Sequence, residues 1–210
     1  MNSKTLSEII SLLKKASLKN WESHQKMAPA LRLQYSDEKI QKRNPKDAAV
    51  LILLYPDKQD KIHILLTKRA RYNGAHSAQI SFPGGKKDKN DNNLLQTALR
   101  EAKEEVNIQP NQLTFIKELS KTYIPPSNFW VHPYVFITNQ KPDFKLNYEV
   151  EHLIEIPLTE LLNDANLHTK NLSTSYMKNI DVPCFKFNNE IVWGATAMIL
   201  SELKDALIGS

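Results

Sequence analysis

Cysteine is almost missing from this chain of 210 residues: Cys184 stands alone. That excludes an internal disulfide framework and any cysteine-rich metal site, and it leaves Cys184, with no histidine partner in view, as a core residue. Long apolar runs are missing too. No stretch approaches the roughly 18 residues that a membrane-spanning helix requires. Near the N-terminus Leu6, Ile9, Ile10, Leu12 and Leu13 are interrupted by polar residues, unlike the unbroken core of a signal peptide. No internal repeat or low-complexity segment occurs. These absences predict a cytoplasmic protein without a membrane partner, long enough for one domain with a modest N-terminal extension.

An excess of positive charge is present, at +5 overall, but it is confined. Residues 1–47 hold ten Lys/Arg against five Asp/Glu, and the other 163 residues hold eighteen of each. The basic surplus therefore belongs to an N-terminal arm. No interleaving of aromatic and basic residues typical of an RNA-recognition module accompanies it, so a solvated helix surface is expected there rather than nucleic-acid contact.

The informative window opens at Gly84-Gly85 and closes with Arg100-Glu101-Ala102-Lys103-Glu104-Glu105-Val106-Asn107-Ile108. At about 100° per residue, Glu101, Glu104 and Glu105 fall within an arc of roughly 100° on one helix. Leu95, Leu99, Ala102 and Val106 share an arc centred roughly 140° away. Glu101 has acids at both its i+3 and i+4 positions, each costing a few tenths of a kcal/mol in a free helix. Two readings follow from the spacing alone: a solvated acidic face, or a site for a hard divalent cation, which takes carboxylate oxygens completed by water and phosphate.

The whole window resembles the Nudix box, Gly-x5-Glu-x7-Arg-Glu-U-x-Glu-Glu-x-Gly-U with U aliphatic. Arg100, Glu101, Ala102, Glu104, Glu105, Val106 and Ile108 match it. One residue is inserted between Gly85 and Arg100, so Asp91 or Asn92 fills the upstream Glu slot. Asn107 replaces the late Gly, a mild change because Asn also accepts the left-handed conformation that ends a helix. A second pattern, Leu65-Leu66-Thr67-Lys68-Arg69-Ala70 followed by Phe82-Pro83-Gly84-Gly85, resembles the coenzyme A pyrophosphatase branch. Gly74 stands there in place of an Arg, for which Arg71 is a candidate substitute, and Ala78 stands in place of a Gly.

The resemblance implies an α/β fold, a Nudix-type α/β/α sandwich with a mixed β-sheet and an N-terminal helical extension. Residues 1–47 are the basic arm and 48–210 the hydrolase domain. It implies a small-molecule nucleotide as partner, a Mg²⁺ or Mn²⁺ cofactor, and cleavage of coenzyme A to 3′,5′-ADP and 4′-phosphopantetheine. A homodimer is left open. Other Nudix substrates (NADH, ADP-ribose, a nucleoside triphosphate) form the second reading, and a non-catalytic sensor or nucleic-acid binder the third. Glu101 and Glu105 are the expected metal ligands, with Glu104 sharing, and Arg100 is expected to orient a glutamate by a charged hydrogen bond. Gly84 and Gly85 let the backbone turn beside the metal. Arg69, His76 and Gln79 are substrate-binding candidates. Glu149 and Glu151 are weaker candidates for the general base, and Asn128 and His132 for the rim.

Along the chain, Thr5 and Glu8 form a capping box opening a helix to about residue 18. Strands are expected over 48–55, 61–68, 113–119, 130–138 and 153–156, with further ones near 172–177 and 184–187. Asn92 or Asn93 caps the acidic helix, Pro110 prevents its continuation, and a helix over 196–207 closes the chain.

Overall fold

The computed structural model describes residues 4–70, 79–174 and 177–209. Helix α1 (Leu6–Lys15) starts at the Thr5–Glu8 capping box, with Thr5 N–H donating to Glu8 Oε2 at 2.7 Å. It ends three residues before the expected position, and short helices α2 (Trp21–His24), α3 (Ala30–Leu33) and α4 (Asp37–Lys42) complete the arm. Strand β1 (Lys46–Pro56) pairs antiparallel with β2 (Ile62–Arg69) and parallel with a later strand. After β3 (Ile80–Ser81) comes β4 (Gly84–Lys86), so the glycine pair lies in a short strand and not in a bare turn.

Helix α5 (Leu94–Val106) follows, then β5 (Thr114–Glu118), β6 (Thr122–Ile124), β7 (Phe129–Ile137), β8 (Val150–Pro157) and α6 (Leu158–Leu162). The order β3-β2-β1-β7-β5 runs through one mixed sheet of eight strands, with β4 on β1, β6 on β7 and β8 on β2. The parallel β1–β7 pair beside antiparallel neighbours makes the sheet mixed. Alternation along β1 supplies both layers of the core. Ile52 and Leu54 face one cluster, while Ala49, Leu51, Leu53 and Tyr55 face the other. The second cluster is closed by α5.

The first cluster is closed by α7 (Gly194–Ile208) together with Ile9, Leu13 and Met27 of the arm. The sheet thus lies between helical layers, and the arm shares the main core. A separate sheet, β9 (Leu167–Thr174), β10 (Met177–Phe187) and β11 (Glu190–Trp193), differs from the two short strands expected at 172–177 and 184–187. Most of β9 is exposed, so it carries no hydrophobic alternation from which a strand could be read.

Glu202 joins these layers. Its side chain is 1% exposed, yet it accepts from Asn20 N–H at 3.0 Å, Ser120 N–H at 2.8 Å and Ser120 Oγ at 2.6 Å. His24 Nε2 stands 3.5 Å away. Burial pushes the carboxyl up, but the nearby His24 and the hydrogen bonds from Ser120 outweigh it and leave the group below its ordinary value of 4.5. A depressed carboxylate stabilises the fold above its unfolded-state value and loses that contribution as pH falls through the folded one. Glu202→Gln should therefore cost about 1–3 kcal/mol at pH 7, the size of a charge-assisted hydrogen bond. In urea titrations the gap between variant and wild type should close with falling pH; a gap independent of pH would refute the ionic role.

Candidate active site

Helix α5 is fixed at both ends by asparagine. Asn93 Oδ1 accepts from Gln96 N–H at 2.9 Å, and Asn107 adopts the left-handed conformation (φ 60°) that ends the helix. Ala98, Ala102 and Val106 are buried against β1. The acidic arc is not uniformly solvated, as the helical wheel alone implies. Glu104 is more than half exposed, Glu101 is partly buried, and Glu105 is only 4% exposed. Glu105 lies roughly 20° around the helix from Ala98, on the edge of the buried stripe, and β4 packs over that edge.

The two glycines of β4 do different things. Gly84 opposes Val50 and Gly85 opposes Ala49 in the β1–β4 ladder. A Cβ on Gly84 would stand 2.4 Å from the Ala49 carbonyl oxygen, whereas a Cβ on Gly85 would stand 2.5 Å from the Glu101 carboxylate. Gly84 therefore permits the strand pairing and Gly85 leaves room for the Glu101 head group. Gly84 N–H also donates to Glu105 Oε2 at 3.1 Å, so the strand holds one glutamate by its backbone and makes space for the other.

Two arginines complete the arrangement. Arg69 Nη1 lies 3.4 Å from Glu105 Oε1, and its Nη2 donates to Glu149 Oε2 at 3.0 Å. Arg100 grips Asp91 with both arms of its fork, Nε to Oδ1 at 3.0 Å and Nη2 to Oδ2 at 2.9 Å. Its Nη1 donates to Glu101 Oε1 at 2.8 Å and to Glu104 Oε2 at 3.2 Å. The Arg100 guanidinium holds the Asp91 carboxyl far below the usual carboxylate range, as a bidentate charge-assisted pair does. Thr97 Oγ1 and Asp88 N–H donate to the same Asp91, each at 2.9 Å.

Burial pushes the Glu105 carboxyl up to about 7, with Arg69 and the Gly84 N–H opposing the rise. Burial likewise raises Glu101, against the pull of Arg100. Two desolvated carboxylates side by side are a costly arrangement that a bound cation would relieve. Among the described residues no three His, Cys, Asp or Glu side chains form a closed metal cage. A Mg²⁺ ion does not require one, because one or two carboxylates with water and substrate phosphate complete its octahedron. The donors present fit a hard divalent cation bound by Glu101 and Glu105.

A cavity of about 330 Å³ opens beside this group, lined at one wall by Arg69, Gln79, Gly84 and Gly85. Its other walls are largely apolar and aromatic, including Phe82, Tyr123, Phe129 and Trp193. This cavity was not legible in the sequence, since its walls come from segments far apart along the chain.

A match to the NUDIX domain model spans residues 45–175. The chain belongs to the NUDIX family. A Caenorhabditis elegans protein named peroxisomal coenzyme A diphosphatase ndx-8 is 32% identical over 84% of this chain and 75% of its own length. An uncharacterized Nudix hydrolase, NudL of Yersinia pestis, is 36% identical over 67% of this chain and 70% of its own. The crystal structure of a MutT/nudix family protein from Enterococcus faecalis superposes with a TM-score of 0.50 at 17% identity, covering 97% of this chain and 74% of that one. That likeness supports the Nudix fold.

Within this Nudix domain the remaining candidates divide clearly. His76 lies outside the described residues, as do Arg71, Gly74 and Ala78. Glu149 joins the site through Arg69, whereas Glu151 lies 3.7 Å from His152. His132 faces Asp47 and Glu118 on the surface, and Asn128, at φ 57°, ties Tyr123 Oη to the Arg43 carbonyl. Cys184 is buried, and burial pushes its thiol up. No helix of the described residues is long and apolar enough to cross a membrane.

The two glycines should separate in mutation. Gly84→Ala meets backbone and should destabilise the fold by about 1–3 kcal/mol, the usual cost of overpacking. Gly85→Ala meets only a carboxylate able to swing aside, so thermal melting should change little while hydrolytic turnover falls by about 10-fold or more. Equal losses of stability in the two variants would refute this division.

Proposed function

We propose that this Nudix hydrolase cleaves the pyrophosphate bond of coenzyme A or its thioesters, releasing 3′,5′-ADP and (acyl-)4′-phosphopantetheine with Mg²⁺ or Mn²⁺. One observation carries the pyrophosphatase chemistry: Glu101 and Glu105 are held against Gly85 and Gly84, the two glycines that line a cavity large enough to receive part of a nucleotide conjugate. The coenzyme A branch draws its support from the Leu65–Ala70 and Phe82–Gly85 pattern and from the name carried by the ndx-8 relative.

A divalent cation bound by Glu101 and Glu105 would neutralise the pyrophosphate oxygens and orient an attacking water. Every other part of the task falls to the chain. Arg100, itself locked by Asp91, fixes the Glu101 carboxylate and steadies Glu104. Arg69 balances Glu105 against Glu149, which keeps a second carboxylate at the edge of the site. Gly84 N–H holds one Glu105 oxygen and so fixes the direction of the other. The apolar walls exclude water from the part of the substrate that does not react.

The test is a panel of coenzyme A, acyl-coenzyme A, NADH, ADP-ribose and nucleoside triphosphates, each with Mg²⁺ and with Mn²⁺. Coenzyme A or a thioester should be turned over best, with 3′,5′-ADP among the products. Glu101→Gln and Glu105→Gln should each lower turnover by about 100-fold or more while the protein stays folded. Preferred turnover of NADH or ADP-ribose would overturn the substrate, and full activity in both variants would overturn the metal site.

A further inference from the structure

The cavity has two arginines in its walls, and they are treated differently. Arg69 is ion-paired to Glu105 and Glu149. Arg32, on α3 of the arm, is 7% exposed and forms no ion pair with any described carboxylate. Its Nη1 donates to the Tyr35 carbonyl at 2.9 Å, while its Nε is buried without an acceptor. The guanidinium lies 4.5 Å over the Trp21 ring and 5.8 Å from that of Tyr123. A second cation, Arg43, stands 5.9 Å from the same Tyr123 ring.

Ring faces stabilise a cation through its π surface. They do not satisfy the in-plane N–H groups, of which Nε has no acceptor, and a buried charge with no carboxylate in contact is costly unless something supplies one. Burial accordingly works against the charged form of Arg32. The same residue lines the cavity although it lies outside the family-matched segment, which begins at residue 45. A planar guanidinium fits the oxygens of a phosphate in a bidentate manner.

We infer that Arg32 is a substrate-recognition residue that receives a phosphomonoester carried by the substrate away from the pyrophosphate under attack. This rests on the coenzyme A reading, in which the ribose 3′-phosphate is such a group. The arm would then select the nucleotide, while the box performs the cleavage.

The test compares coenzyme A with 3′-dephospho-coenzyme A on the full-length wild type, Arg32→Met and Arg32→Lys. Wild type should favour coenzyme A in kcat/KM. Arg32→Met should lower the coenzyme A value by about 10- to 100-fold, mainly through KM, and bring the ratio of the two substrates towards one. Arg32→Lys should recover part of that ratio. Equal loss on both substrates, or an unchanged ratio, would overturn the role.

Calorimetry with adenosine 3′,5′-bisphosphate and with AMP keeps this separate from the proposed reaction. Wild type should bind the bisphosphate more tightly, and Arg32→Met should lose that preference. Should coenzyme A prove not to be a substrate while the binding preference and its loss persist, the proposed reaction falls and the Arg32 role stands. Should coenzyme A be cleaved with no bisphosphate preference, the Arg32 role falls and the reaction stands.

Discussion

Everything at the candidate site depends on how closely β4 approaches α5 while still pairing with β1. Gly84 has no room for a side chain on the β1 side, and Gly85 has none on the helix side. With both positions stripped of side chains, the strand can give an N–H to Glu105 and leave space for Glu101. Glu105 is thereby drawn out of water, and its charge becomes expensive. An interior cost of this kind is retained when a ligand relieves it. The backbone geometry and the electrostatic tension are thus one arrangement described in two ways.

Rigidity around that arrangement comes from polar groups satisfied in layers. Asp91 is held by Thr97, Asp88 N–H and Arg100, so Arg100 enters the site already committed in direction. Its remaining donors then set Glu101 and Glu104. On the far side of the sheet Glu202 plays an equivalent part for the arm, binding Asn20 and Ser120 to α7. Loss of either node would leave buried polar groups unmatched, which costs more than the hydrogen bonds themselves.

The residues that could be read directly from sequence were those governed by local rules. The Thr5–Glu8 box, the Asn93 cap and the left-handed Asn107 depend on neighbours a few positions away, and each occurs as local chemistry requires. The apolar run at 48–55 likewise becomes β1. The burial of Glu105 could not be read from its helix, because β4, whose Gly84 lies 21 positions upstream, packs over it and decides it. Asp91 was visible as an acid in a displaced slot, but its engagement by Arg100 depends on how the inserted residue is taken up by the loop. The hairpin of β9 and β10 was legible only in fragments, at 172–177 and 184–187: the buried Cys184, Phe185 and Phe187 mark the end of β10, while the exposed β9 is held by backbone pairing, which leaves no periodic trace.

The positive surplus of the arm, read from composition as solvated surface, divides once the packing is known. Most of its lysines remain exposed, but Arg32 is buried against Trp21 and Tyr123. Burying it required the arm to share a core with α7, which Ile9, Leu13 and Met27 achieve. The segment that anchors the arm therefore also brings a guanidinium without a contacting carboxylate to the cavity wall. Net charge alone could not reveal this, because a single buried cation weighs the same in composition as an exposed one. Its environment gives it a different energy, and energy rather than count decides which charges a ligand can use.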